Sequence, residues 1–168
     1  MQKLISIIFL FLALLSCKPG LVESSGYNLL LQNILDEQVP VISVAELEQL
    51  GGAILLDSRS KEEFDVSHIS KAIFVGFDDF DVSRVANLYK SQPIVVYCSV
   101  GYRSEKISQK LRDAGFKDVR NLYGGIFEWV NQGNEVVDSK GQNTSRIHPY
   151  SITWGIWLRK GDKDYGTN

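Results

Sequence analysis

Cys98 and Arg103 are the residues of this chain best suited to chemistry, and only Ser99, Val100, Gly101 and Tyr102 stand between them. Upstream runs the β-branched, apolar stretch Pro93-Ile94-Val95-Val96-Tyr97; downstream a helical pattern extends to about Gly115. This order predicts a thiol at the carboxyl end of a buried strand and the amino end of a helix. There the helix dipole and unpaired backbone N–H groups favour an anion. The expected species is a nucleophilic thiolate. Gly101 permits the left-handed dihedrals that let loop amides point inward as a cradle and leaves room for a ligand. Arg103 is expected to supply a fixed cation and to hold an anionic substrate through forked hydrogen bonds. Ser104 is expected to cap the helix with its hydroxyl facing the anion, and Tyr102 to shape the mouth. The alternative, that Cys98 is merely a small buried hydrophobe, leaves Gly101, Arg103 and the helix start without a joint explanation.

The rest of the chain must position this loop. Hydrophobic residues make up 44% and charged residues 23% of 168, values that suit one globular domain. Residues 27–37 carry Leu30, Leu31, Ile34 and Leu35 at helical spacing, a leading helix; residues 39–42 read as a short strand. Ser43 with Glu46, and Ser60 with Glu63, are capping-box patterns that open two further helices. Between them residues 53–57 form a continuous apolar run, as a strand covered on both faces requires. Strands are also expected at 71–75, 93–97 and 119–122, and helices at 82–89, 104–114 and 126–131. Strands alternating with helices predict an α/β domain, a mostly parallel central sheet with helices on both faces. In such sheets ligands bind at the carboxyl ends of the strands, the place expected for Cys98.

Residues 1–16 read as a removable signal rather than as part of the fold. Lys3 precedes an apolar run over residues 4–15, too short for a comfortable membrane span. Leu14-Leu15-Ser16-Cys17 resembles a bacterial lipobox, which implies lipid attachment at Cys17, a tether over 17–26, and a lipid-anchored location in the bacterial cell envelope. With Cys17 lipidated, Cys98 is the one remaining thiol, and an intramolecular disulfide mechanism is excluded. The other expected units are a domain over 27–138 and an extension over 139–168, polar and loop-like over 139–145. The two cysteines and two histidines show no zinc-site spacing, so no metal or cofactor is expected. A net charge of −2 favours no nucleic-acid partner.

Three ordered motifs carry a family resemblance. Tyr97-Cys98-Ser99-Val100-Gly101-Tyr102-Arg103-Ser104 resembles the active-site loop of rhodanese-like sulfurtransferases. Upstream, Leu56-Asp57-Ser58-Arg59, Glu62-Glu63-Phe64 and His68-Ile69 with Ala72 are similar to the family's first motif. Downstream, Asn121-Leu122-Tyr123-Gly124-Gly125 followed by Trp129 is similar to its closing motif. The likeness covers residues 42–137. The family usually has Gly before the His and Pro-Gly before the Ala, where this chain has Ser67, Ser70 and Lys71.

The resemblance implies a rhodanese-like fold and a two-step sulfur transfer. Cys98 takes a sulfane sulfur from thiosulfate or another persulfide donor and passes it to cyanide or a thiol, with a protein acceptor possible. Asp57, Arg59, His68, Gly124 and Gly125 are implied as supporting residues rather than reacting ones. Two rivals remain: a non-enzymatic persulfide carrier on a lipid anchor, and a cysteine phosphatase or arsenate reductase. The latter use five residues between cysteine and arginine, and the loop here is one shorter. Finally, Tyr150, Trp154, Trp157 and Leu158 are expected to cover an apolar face of the domain rather than to line the pocket entrance.

Overall fold

The structure, a computed structural model, describes residues 21–36 and 38–166. Cys17, the signal segment before it and Glu37, the expected end of the leading helix, lie outside the described residues. Five parallel strands form the central sheet: β1 (Val41–Ile42), β2 (Ile54–Asp57), β3 (Ile73–Phe74), β4 (Pro93–Tyr97) and β5 (Asp118–Leu122), in the order β1-β5-β4-β2-β3. β4 is central, paired with β2 through Leu56↔Val96 and with β5 through Val96↔Asn121. Ile94, Val95, Val96 and Tyr97 are fully buried, as an apolar run between two covered faces should be.

Alternation along β4 divides the core. Val95 and Tyr97 belong to one cluster with Tyr27 and Leu31 of α1 (Ser25–Ile34), Val44 and Leu47 of α2 (Val44–Leu50), and Ile126 and Phe127 of α5 (Gly125–Asn131). Ile94 and Val96 belong to the other, with Ile107 and Leu111 of α4 (Tyr102–Asp113). Period-two side chains on one strand thus hold helices on both faces. Both capping boxes form: Ser43 with Glu46 opens α2, and Ser60 with Glu63 opens α3 (Lys61–Val66).

Three local expectations change. The helix expected over 82–89 is a single 3-10 turn, Val82–Val85. Only Val85 of its apolar residues is buried, whereas Val82 and Tyr89 are 38% and 75% exposed, so no apolar stripe holds a longer helix. Residues 139–145 are not all loop: β7 (Asn143–Thr144) pairs antiparallel with β6 (Val136–Val137). The extension continues through β8 (Arg146–Ile147), α6 (Ile152–Gly155) and β9 (Asp162–Lys163), and it packs onto the domain. The Trp157 ring stacks on Tyr27 at 5.3 Å, Leu158 is buried, and Asn131 Nδ2 donates to the Trp157 carbonyl at 2.9 Å.

The third is the strand expected at 71–75, which shortens to β3 at the turn that departs from the resemblance at Ser67, Ser70 and Lys71. Ser67 is extended (φ −170°), a conformation open to any residue. Lys71 has φ +64° with an exposed side chain, just before the Ala72 N–H that donates to Ile69 O at 3.0 Å. The position therefore requires a left-handed residue without supplying a glycine. Left-handed backbone costs about 1–2 kcal/mol for an L-residue, partly offset by the greater unfolded-state freedom of glycine. Lys71→Gly is expected to stabilise the protein by about 1 kcal/mol, seen as a higher urea midpoint; an unchanged or lower midpoint refutes this.

Candidate functional site

The loop after β4 is shaped by glycine and by backbone hydrogen bonds from α5. Gly101 takes φ +117° and is the N-cap of α4, which begins at Tyr102, two residues before the expected start. Its N–H lies 3.1 Å from Cys98 Sγ and donates to it. No side chain caps this helix, so no capping side chain takes up the amide groups of its first turn. Ser104 does not face an anion. Its hydroxyl is buried, donates to Asn121 Oδ1 at 2.7 Å and lies 3.1 Å from Gly101 O, which also accepts from Asn121 Nδ2 at 3.0 Å. Asn121, at the end of β5, thus fixes the peptide that carries the left-handed turn.

The other side of the loop is held by the start of α5. Ile126 N–H donates to Cys98 O at 2.9 Å and Phe127 N–H to Ser99 O at 3.2 Å. Gly125 makes this approach possible: a Cβ there would stand 2.4 Å from Cys98 O and 2.7 Å from Ser99 O. At Gly124 a Cβ would meet Glu128 Cβ at 2.6 Å. Tyr27 OH donates to Gly124 O at 2.9 Å, tying the leading helix to the same turn.

Arg103 is engaged differently from the sequence expectation. Its guanidinium fork grips Glu63, Nη1 to Oε2 at 2.7 Å and Nη2 to Oε1 at 2.8 Å, rather than standing open for a substrate. Ser99 Oγ completes the arrangement, donating to Glu63 Oε1 at 2.8 Å and accepting from Arg103 Nη2 at 3.0 Å. Burial works to raise the Glu63 pKa, but the hydrogen-bonded Arg103, with the charge of Arg59 and the Ser60 N–H, outweighs it and holds the carboxyl at about 2. The pair is therefore ionised and net neutral. In the sequence Glu63 was legible as a helix-capping residue and as part of the Glu62-Glu63-Phe64 motif; its pairing with Arg103 has no local signal.

The supporting residues divide by what they hold. Asp57 and Arg59 form a fully buried ion pair at 2.7 Å, and Arg59 Nη2 also donates to Ser67 O at 2.6 Å. They join the end of β2 to the turn before β3. His68 stacks on Phe64 at 3.8 Å with Nδ1 3.0 Å from Phe64 O, and its backbone pairs with Val137. It does not line the cavity beside Cys98.

That cavity, about 480 Å³, is lined by the Cys98 loop, including Val100 and Tyr102, by Asn33 and Ile34 of α1, and by Tyr150 and Trp154 of the extension. The four C-terminal residues thus separate: Trp157 and Leu158 cover the domain, whereas Tyr150 and Trp154 wall the pocket. Tyr150 sits over Arg103, its ring centroid 4.8 Å from the guanidinium carbon, with φ +63°. Among the described residues no cluster of His, Cys, Asp and Glu could hold a metal ion.

Comparison with known proteins bears on the family and the fold. A family model described as a rhodanese-like domain matches residues 43–132. Among curated proteins, the tRNA uridine(34) hydroxylases of Sodalis glossinidius (strain morsitans) and Cronobacter sakazakii (strain ATCC BAA-894) are 35% and 33% identical over 88 residues, 49% of this chain. The chain spans only about a quarter of their length, 25% of each. Among solved structures, BH2092 protein from Bacillus halodurans has a TM-score of 0.55 and 25% identity, covering 68% of this chain and 88% of that one. Thiosulfate sulfurtransferase from Pseudomonas aeruginosa has a TM-score of 0.57 at 21% identity over 79% of this chain and 26% of that one, a likeness of fold. With the matched segment reaching from the cap of α2 to the end of α5, the chain belongs to the rhodanese-like domain family.

Proposed function

We propose that this protein is a sulfurtransferase that carries a sulfane sulfur on Cys98. The observation that carries the reading is the Gly101 N–H, 3.1 Å from Cys98 Sγ at the uncapped start of α4, beside a cavity able to admit a donor. Cys98 thiolate attacks the outer sulfur of the donor; the donor's S–S bond breaks and its electron pair leaves with the remainder. From thiosulfate the leaving group is sulfite, and the product is the Cys98 persulfide. Cyanide or a thiolate then attacks the outer sulfur of that persulfide and leaves as thiocyanate or a new persulfide, restoring the thiolate. Each step is covalent catalysis, with backbone N–H groups stabilising the sulfur anion.

The roles of the neighbours follow from their contacts. Gly101, Asn121 and Ser104 keep the amide cradle in shape. Glu63 and Arg103 brace the far side of the loop, and Ser99 links the two. Gly124 and Gly125 let α5 approach the loop backbone. A net charge of −2 does not favour a tRNA partner, so the reading takes its sulfur chemistry from the family and not its substrate from the named hydroxylases. A phosphatase would need a wider loop for a tetrahedral oxyanion.

The test is the intact mass of the protein after incubation with thiosulfate or an organic persulfide. One added sulfur, removed by cyanide and missing in Cys98→Ser, is the expected result. No increment with any sulfur donor refutes the reading. Rapid discharge to one protein combined with slow turnover on cyanide and small thiols would assign a carrier instead.

A further inference from the structure

The charge and the walls of the Cys98 cavity point to a particular kind of donor. Among the described residues Arg103 is the only one of the lining set that carries a standing charge, and both ends of its guanidinium fork already hold Glu63. A dianion such as thiosulfate therefore enters a site whose cation is neutralised before it arrives. Beside Cys98, Asn33 and Ser99 the remaining walls are apolar or aromatic: Ile34, Val100, Tyr102, Tyr150 and Trp154. At about 480 Å³ the space lies in the range of sites that enclose a whole organic molecule, far more than the few atoms of thiosulfate fill.

The aromatic wall is built rather than incidental. Tyr150 keeps a left-handed backbone, with its N–H donating to His148 Nδ1 at 3.1 Å and its ring over Arg103. The preceding Pro149 is buried, and a Cβ on Gly155 would lie 3.0 Å from its Cβ, so α6 is seated closely on this turn. Ser151 caps α6 by accepting from the Trp154 N–H, which fixes the backbone that presents the indole to the cavity. The anchor is Trp157 on Tyr27, whose hydroxyl binds the Gly124 turn.

We propose that the extension makes this a site for organic persulfides with an apolar or aromatic body, in preference to thiosulfate and to small polar persulfides. The proposal rests on the sulfurtransferase reading and specifies its donor. The body of R–S–SH lies against Trp154, Tyr150 and Ile34, with its outer sulfur directed at Cys98. Cys98 thiolate takes that sulfur, the donor S–S bond breaks, and R–S⁻ leaves with the bonding pair; Cys98 then holds –S–SH. Charge balances at one negative on each side, and no oxidant or reductant is needed. Stacking and apolar contact with R supply binding that the neutralised Arg103 does not provide for an inorganic anion.

The experiment compares rates of Cys98 persulfide formation by intact mass, using the full chain with benzyl persulfide, 2-hydroxyethyl persulfide and thiosulfate. Each rate is divided by that of the same donor with a free small thiol, which removes intrinsic reactivity. The normalised rate with benzyl persulfide is expected to exceed the other two about tenfold. Trp154→Ala is expected to reduce that ratio at least fivefold. Because a partly unfolded variant slows every donor alike, the ratio isolates the contact. An equal or inverted preference in the wild type overturns the proposal, as does a ratio unchanged in Trp154→Ala. No sulfur on Cys98 from any donor instead overturns the sulfurtransferase reading on which it stands.

Discussion

Replacing Glu63 with Gln is expected to destabilise the protein by about 2–4 kcal/mol and to loosen the loop that holds Cys98. Breaking one partner of a buried ion pair typically costs about 3–5 kcal/mol because the other charge is stranded. The Arg103 side chain is 16% exposed and has Tyr150 over it, so some solvent and ring stabilisation remains and the lower range applies. Gln keeps a side-chain acceptor for Ser60 N–H, so the loss reflects the charge more than the helix cap. The effect has a pH signature. The Glu63 pKa is lowered from 4.5 to about 2 in the folded protein. Below 4.5 the unfolded chain therefore binds the proton first, and stability falls with falling pH. The contribution is complete above about pH 4.5 and disappears as the pH drops through about 2. Urea midpoints of wild type and Glu63→Gln should differ most near neutrality and converge across that window. A gap that is constant with pH overturns the assignment. The variant also frees the Arg103 charge, so its rate with thiosulfate relative to benzyl persulfide is expected to rise.

Gly125→Ala is the second large effect, and here the cause is steric. The added methyl would lie 2.4 Å from Cys98 O and 2.7 Å from the Ser99 carbonyl carbon and oxygen, all of them backbone atoms. No side-chain rotation relieves such a contact, and φ +57° is itself unfavourable for alanine. Either α5 retreats, giving up the Ile126 and Phe127 hydrogen bonds to the loop, or the loop moves and carries Cys98 away from the Gly101 N–H. Strain at one such residue costs about 1–3 kcal/mol, and each lost buried hydrogen bond adds about 1. A total near 3–4 kcal/mol is expected, with sulfur loading of Cys98 slowed at least tenfold. Gly52→Ala is the control. Its φ is also positive, at +69°, but nothing lies within 4 Å of the new Cβ, so only the backbone cost of about 1 kcal/mol should appear. Equal losses in the two variants would show that the loop contact contributes little.

Much of the architecture was legible because it is local. The run 93–97 needed only its β-branched apolar residues to announce a buried strand, and it forms β4 with those bounds. Ser43 with Glu46, and Ser60 with Glu63, close boxes across one helical turn, a pattern within four residues of chain. Cys98, Gly101 and the helix behind them are likewise contiguous, so their relation could be read without knowing what surrounds them. The error at 82–89 shows the limit of that logic: Val82, Val85 and Tyr89 stand at helical spacing, but folding buries Val85 and leaves Val82 and Tyr89 exposed.

What the amino-acid order could not reveal was which distant groups would meet. Glu63 reaches Arg103 forty positions later in the chain, and that single contact turns an expected substrate-binding cation into half of a neutral brace. Tyr150, Trp154, Trp157 and Leu158 share a composition that only says they will leave water. Folding decides which body each one finds: Tyr27 for Trp157, the Cys98 cavity for Tyr150 and Trp154. The reason is physical. Apolar burial and charge pairing act through distance in space, and neither carries a periodicity that names its partner. Strand, cap and turn chemistry is written within a few residues, and so the nucleophile and its loop could be found by reading. The state of Arg103's charge and the wall facing the thiol arise only once the chain has closed upon itself.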